Sequence, residues 1–164
     1  MTNPLVEKLI KDFALEHNGF HGKPHWDQVL VNAEEIADKM AARDKYVNTK
    51  ILFAFAMIHD SQRFDEDEDI YHGTRAANWI GAHRTAVQDY FELDRVETNT
   101  LRFAVALHSD GLITADEHGL YKNTIEACWD ADRLDLPRVG VEVDPARLCT
   151  DEAREILSER NAIA

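Results

Sequence analysis

The sequence predicts an all-α fold, a compact bundle of about six to seven helices that forms a single domain over residues 1–164. Apolar residues recur at helical spacing along most of the chain, and residues that favour helix starts stand before several of these stretches. With 164 residues, 45% of them hydrophobic, the chain is long enough to bury one proper core. Residues 139–143 are the single weak candidate for a strand.

The first half of the chain is expected to be helical except for one acidic loop. Asn3 as N-cap and Pro4 at the first helical position begin a helix that ends before Gly19. The acidic run Asp65–Asp69 predicts a solvated loop. Further helices are expected over about residues 24–42, 48–60 and 74–83.

Capping patterns predict the helices of the second half. Asp94–Glu97 resembles a capping box at the head of a helix that ends near His108, with a break at residues 110–111. Asn123–Glu126 repeats this pattern before the helix that carries Asp130 and Asp132. Residues 144–150 are expected to begin a last, polar helix.

Composition excludes several classes of partner. The formal net charge of -13 argues against binding of a nucleic-acid polymer through its phosphates, because that mode needs a basic face. We expect no membrane span, no secretory segment and a cytoplasmic location, with Cys128 and Cys149 as reduced thiols. A small anionic substrate remains compatible if a metal neutralises it locally. The sequence carries no signature of an oligomeric state.

The most informative pair is His59-Asp60, which closes the apolar run 51–58. A buried helix rarely ends on two ionisable side chains unless they have a partner inside, and a cation supplies one. Imidazole and carboxylate together suit Mn, Fe, Co, Ni or Zn, and Mg where carboxylates and water dominate. The alternative is a helix C-terminal histidine followed by an exposed aspartate.

Further ligands must come from other helices. His25 lies in the first turn of the second helix, and Asp130, Asp132 and Asp135 are candidates on a later one. Spacing does not decide among these three aspartates. Three helices packed around one point would bring His25 and one of them to the His-Asp pair, and would leave one side open to water and substrate.

This ordered set resembles the HD superfamily of metal-dependent phosphohydrolases, whose signature is a histidine, then His-Asp, then a distant aspartate on a helical bundle. The resemblance covers residues from about His21 to Leu136. It rests on three motifs: His25-Trp26 with Val29 and Ala33, the pair His59-Asp60, and Asp132 within Ala-Asp-Arg-Leu. It implies His25, His59, Asp60 and Asp132 as metal ligands, with Asp130 as a supporting partner of the last one.

The resemblance also implies a role for two further histidines. His72 and His108 stand where the larger-site members of the superfamily place two additional ligands, with the aspartate of the His-Asp pair bridging two ions. The protein would then hold one or two ions, with Asp60 as the bridge. The other interpretation leaves both histidines in the pocket wall as hydrogen-bond donors to a substrate phosphate.

Two of the basic residues, Arg63 and His21, each have two interpretations. Arg63 is either a surface residue or the group that binds substrate phosphate, as a basic residue near this position does in some superfamily members. His21 would replace His25 as a ligand if His25 is exposed, and otherwise His21 and Lys23 would face the pocket mouth. Arg133 is expected to form an internal ion pair.

The resemblance implies a divalent-metal-dependent phosphohydrolase that acts on a small phosphorylated metabolite or nucleotide. Asp60, Arg63, His72 and His108 would then take part in catalysis. Two alternatives stay open. A di-iron oxygenase would use His72 and His108 as true ligands, and a metal-containing module without catalytic activity would serve binding or regulation.

Overall fold

The computed structural model describes residues 3–110 and 115–163 of the chain. All the regular secondary structure in this part is helical, and it contains no strand. It has eight α-helices and three short 3-10 helices. In chain order they are α1 (Pro4–Asp12), α2 (Lys23–Ala41), α3 (Thr49–Ile58), α4 (His72–Ala82), α5 (Arg84–Phe91), α6 (Arg95–Leu107), a 3-10 helix (Asp116–Tyr121), α7 (Lys122–Arg133), two more 3-10 helices (Leu136–Val139 and Pro145–Arg147) and α8 (Asp151–Ile163).

Helix α3 lies at the centre of the bundle. It packs against α2, α6 and α7, so it is covered on several sides. Its residues Ile51, Phe55 and Ile58 are completely buried, which explains why this helix is apolar around most of its circumference. Asn48 caps its first turn by accepting hydrogen bonds from two backbone N–H groups. The turn that follows its last residue therefore starts inside the protein.

Local capping signals are confirmed at two helix starts. Asn3 accepts a hydrogen bond from the backbone N–H of Leu5, and Pro4 is the first residue of α1. Asp94 and Glu97 form the reciprocal capping box at the head of α6. Each of these signals involves only residues within three positions of one another, so local sequence is sufficient to specify it.

Other expectations for the elements are wrong. Helix α5 was not expected, because it is only eight residues long, half of them are polar, and only Val87 and Phe91 are buried. Asn123 does not cap α7, since the helix already begins at Lys122 and the Asn123 side chain donates to the Tyr46 carbonyl. Residues 139–143 form no strand, because the chain leaves a 3-10 helix there through a left-handed glycine.

Helices α4 and α6 pack closely at one glycine. A Cβ atom at Gly73 would lie 2.7 Å from the Val105 carbonyl oxygen and 3.2 Å from Nδ1 of His108. Only a residue without a side chain permits this approach. Because Gly73 directly follows His72, the close packing places the imidazole of His72 against that of His108.

Further features concern the surface and the core of the molecule. Residues 65–68 of the acidic run are exposed and lie in a loop, as expected. Trp26, Trp79 and Trp129 are buried in the core. The break expected at residues 110–111 includes Gly111, which lies outside the described residues. No helix in the described parts of the chain is long and apolar enough to cross a membrane.

Candidate metal centre

Helix ends from five elements meet at one buried point. His25 and His72 lie in the first turns of α2 and α4, and His59, Asp60 and His108 directly follow the last turns of α3 and α6. Asp132 is in the last turn of α7. The structure thus brings together all six suggested ligands, which form two overlapping groups.

The first cluster consists of His25, His59, Asp60 and Asp132. The Nε2 atoms of His25 and His59 lie 3.1 Å apart. Asp132 Oδ1 lies 3.2 Å from the first nitrogen and 3.8 Å from the second. Asp60 Oδ2 lies 3.6 and 3.8 Å from the same two nitrogens. Atoms that each lie about 2.1 Å from one ion are about 3 to 4 Å apart, so His25, His59 and Asp60 could hold a cation between them. Asp132 lies beside the two imidazoles and is the fourth candidate ligand.

The second cluster consists of Asp60, His72 and His108. The Nε2 atoms of the two histidines lie 2.8 Å apart. Asp60 Oδ1 lies 3.1 Å from Nε2 of His72 and 3.5 Å from Nε2 of His108. All three side chains are at least nine-tenths buried. This group also has the spacing of ligands around one ion.

Asp60 belongs to both clusters through different oxygens. Its Oδ2 faces His25 and His59, and its Oδ1 faces His72 and His108. A carboxylate in this position can bind two ions, one through each oxygen. The arrangement therefore has the geometry of a bridging ligand between two adjacent cation sites.

The four imidazoles of the two clusters turn the same atom inward. Each Nδ1 lies against an acceptor outside the clusters, namely Asp135 Oδ2 for His25 (2.7 Å), the Phe55 carbonyl for His59 (3.1 Å), the Asp69 carbonyl for His72 and the Val105 carbonyl for His108 (2.7 Å). Each Nδ1 therefore carries the proton and donates it, which leaves a lone pair on Nε2. Lone pairs that face each other at hydrogen-bond distance repel unless a proton or a cation lies between them. The donor set thus fits a cation.

The ionisation of these groups also favours a cation. Burial opposes the charge on Asp60, but its contacts with the neighbouring histidines, among them hydrogen bonds from His108, His21 and His72, hold its pKa well below its usual range. Burial lowers the pKa of His59 to about 3, so its ring is neutral. Burial would also lower the pKa of His25, yet its hydrogen bonds with Asp132 and Asp135 raise it to about 9. Without a metal, a proton on His25 partly neutralises the carboxylates.

The structure distinguishes the three candidate aspartates on α7 and just after it. Asp132 joins the first cluster, and Asp135 accepts the hydrogen bond from Nδ1 of His25. Asp130 was expected to support Asp132, and this expectation is wrong. It is completely buried and accepts hydrogen bonds from Thr150 and from the backbone N–H of Cys149, so it anchors the start of α8 instead.

His21 and Lys23 have different environments. His21 is buried, lines the cavity above the clusters and lies 2.9 Å from Asp60 Oδ2 through its Nδ1. It therefore contacts a ligand, while the ligand position itself is occupied by His25. Lys23 was expected at the pocket mouth, and this is wrong. Its exposed amine pairs with Asp27 of the same helix.

Arg63 and Arg133 are both 8% exposed, so neither is a surface residue. Arg63 Nη1 lies 3.7 Å from Asp60 Oδ1 and beside the ring of His72. Arg133 contacts Asp130 and donates a hydrogen bond to the Arg147 carbonyl, as expected for an internal ion-pair residue.

The clusters open into a cavity of about 370 Å³. Asp60, His72, His108 and Asp132 reach its wall, so both clusters are accessible from it. A larger cavity of about 970 Å³ lies beside α2 and touches His25, but none of the other ligands. Four polar residues in the wall of the smaller cavity were not expected there from the sequence, because nothing in their local pattern marks them: Ser109, Arg138, Glu142 and Arg147.

Comparisons with models of protein families, with curated proteins and with solved structures found no match for this chain.

Proposed function

We propose that the protein is a divalent-metal-dependent phosphohydrolase of the HD superfamily that acts on a small phosphorylated metabolite or nucleotide. One observation carries the proposal. Two clusters share Asp60, direct four imidazole lone pairs to a common centre and lie beside the guanidinium of Arg63. Adjacent cation sites with a positive side chain next to them are suited to bind a phosphate group and a water molecule together.

The ligand set favours particular ions. His25, His59, Asp60 and Asp132 would hold the first ion, and Asp60 with His72 and His108 the second. Because imidazole nitrogens predominate, Mn, Fe, Co, Ni or Zn fit better than Mg. When bound, such ions lower the pKa of water toward neutrality and polarise phosphoryl oxygens.

The chain's own residues bind and orient the substrate in this proposal. Arg63 neutralises charge on the phosphoryl oxygens, since its guanidinium lies close to the second cluster. His21 donates its Nδ1 proton to Asp60 and so keeps that carboxylate in place. In the reaction, an oxygen of water bonds to phosphorus, the P–O ester bond breaks, and the leaving alcohol takes up a proton.

The test combines metal analysis with an activity assay. The protein is stripped with a chelator, reloaded separately with Mn, Co, Ni, Zn, Fe and Mg, and assayed for phosphate release from p-nitrophenyl phosphate and from nucleoside monophosphates. We expect turnover with at least one reloaded ion and none in the stripped protein. Metal binding without turnover on any phosphate ester would contradict the proposal and favour a binding module.

The second cluster supports one alternative, a di-iron oxygenase, because that chemistry requires His72 and His108 as ligands. The arginine side chains in the cavity wall favour an anionic substrate. Iron bound after aerobic purification, with a visible charge-transfer absorption, would favour the oxygenase. A colourless protein that is active with Mn or Co would exclude it.

A further inference from the structure

The cavity above the two clusters has several arginines in its wall, although the protein is strongly acidic. The chain has a formal net charge of -13. Among the described residues, the cavity wall nevertheless contains four arginines: Arg63, Arg133, Arg138 and Arg147. It also contains four carboxylates, but two of them, Asp60 and Asp132, belong to the clusters and would be bound to cations. Outside the clusters the four arginines then face only Glu142 and Asp144 within the described wall, an excess of positive charge that attracts anionic ligands.

Three of these arginines are held by acceptors of the protein itself. Arg63 donates to the Asp67 carbonyl (2.8 Å), and Arg138 donates to the Phe20 carbonyl (2.8 Å). Arg133 donates to the carbonyl of the fourth, Arg147 (2.9 Å). Their guanidinium groups are thus fixed in the wall.

Arg147 differs from the other three. Its side chain is exposed, and within residues 3–110 and 115–163 no acceptor or carboxylate contacts its guanidinium. Its backbone, in contrast, is held in place. Asp144 caps the 3-10 turn by accepting from the Ala146 N–H, and the Arg147 carbonyl accepts from Arg133, the residue after the ligand Asp132. The turn is therefore tied to the helix that supplies a ligand of the first cluster.

A fixed backbone with an unpaired guanidinium is the arrangement expected of a ligand-binding residue. Because the Arg147 guanidinium has no partner in the described part of the protein and lies in the wall of the cavity, its donors are available to an anionic group of a ligand. The same rim carries the carboxylates of Glu142 and Asp144. Asp144 is engaged in the turn, so Glu142 is the nearby acidic group that would oppose an anion.

We propose that Arg147 binds a second anionic group of the substrate, separate from the phosphate that reacts at the clusters. The inference rests on the proposed function, which places the first phosphate there. The substrate class is then a small molecule with anionic groups at two ends, the second being a phosphate or a carboxylate. Arg147 is a specificity-determining residue in this account, and it takes no part in the bond-breaking step.

The experiment measures binding to the Mn-loaded protein by calorimetry. The probes are butyl phosphate, 1,4-butanediol bisphosphate and 4-carboxybutyl phosphate, together with shorter and longer chains of each type. We expect the best doubly anionic probe to bind about tenfold more tightly than the monophosphate of the same length, the gain of one charge-assisted hydrogen bond. Comparison of the two doubly anionic series identifies the second group.

Variants assign the gain to Arg147. Arg147→Gln is expected to remove the tenfold gain and to leave binding of butyl phosphate within about twofold, whereas Arg147→Lys keeps part of the gain. Arg95→Gln is the matched control, because Arg95 is also exposed but lies outside this cavity. Glu142→Gln is expected to act in the opposite direction and to tighten the doubly anionic probes. Thermal unfolding of each variant checks that it folds.

The outcomes separate the two proposals. Equal affinity for singly and doubly anionic probes in the unchanged protein, or a gain that survives Arg147→Gln, would overturn the inference and leave the phosphohydrolase proposal intact. If butyl phosphate fails to bind the metal-loaded protein at all, the phosphohydrolase proposal fails and this inference fails with it.

Discussion

The two clusters share one carboxylate but differ in charge and in support. The first cluster contains Asp60 and Asp132, whereas the second contains Asp60 alone and has Arg63 beside it. A cation is held more tightly by two carboxylates than by one carboxylate that lies near a positive charge. We therefore expect the first cluster to bind its ion more tightly and to fill first.

The elements that hold the ligands also favour the first cluster over the second. His25 and His59 belong to the first turn of α2 and the end of α3, which pack against each other. His72 begins α4, directly after the loop that follows Asp60, and its position depends on the packing at Gly73. The first cluster is therefore built on packed helices, whereas the second depends on a residue at the boundary between a loop and a helix.

The largest effect is expected for Asp60→Ala, because Asp60 alone serves both clusters. The variant should lose both ions, and turnover should fall by at least about 10³-fold. Elemental analysis after gel filtration and a phosphate-release assay measure the two losses. Full turnover in this variant would show that the clusters are not the reaction centre.

The next test removes one histidine from each cluster. His25→Ala should weaken the more tightly held ion by more than about a hundredfold, since loss of a ligand costs more than loss of its hydrogen-bond partner. His108→Ala should leave that ion bound and remove the weaker one. Ions retained per chain are counted after dialysis. The opposite pattern would reverse the order of affinities proposed above.

A smaller effect is expected for Asp135→Asn. The Asp135 carboxylate holds Nδ1 of His25 and otherwise lies near Arg138, so the affinity for the first ion should fall about 10- to 100-fold and the affinity for the second should stay unchanged. Asp27→Asn removes the same charge from the exposed face of α2 and is the matched control. Metal titration monitored by calorimetry compares them, and equal effects of the two variants would refute the supporting role.

The smallest and most diagnostic effect is expected for Arg63→Ala. The KM for a phosphate ester should rise about tenfold, because a charge-assisted hydrogen bond is lost. Affinity for the second ion should rise severalfold, because a positive charge near Asp60 is removed. Arg63→Lys keeps the charge and should reverse the second change. Opposite signs for substrate and metal would not result from a simple loss of structure.

Much of the fold was predictable from local sequence, and the failures came where the local pattern was weak or where a tertiary contact outweighed it. The all-helical class, the cap at Asn3 and the capping box at Asp94 are confirmed. The short helix α5 escaped prediction because only Val87 and Phe91 are buried on it. The expected cap at Asn123 failed because a nearby carbonyl of another segment attracts its side chain.

Local sequence was also enough to single out His59 and Asp60, since two ionisable residues at the end of a buried helix need a partner inside. The packing of whole helices settled what remained open: Asp132 reaches the first cluster, Asp135 orients His25, and Asp130 points to the start of α8. The three aspartates are close in sequence, but the direction of a side chain follows from its angle around the helix and from the neighbour that this angle meets. Residues far apart in the chain define that neighbour, so spacing alone could not identify it.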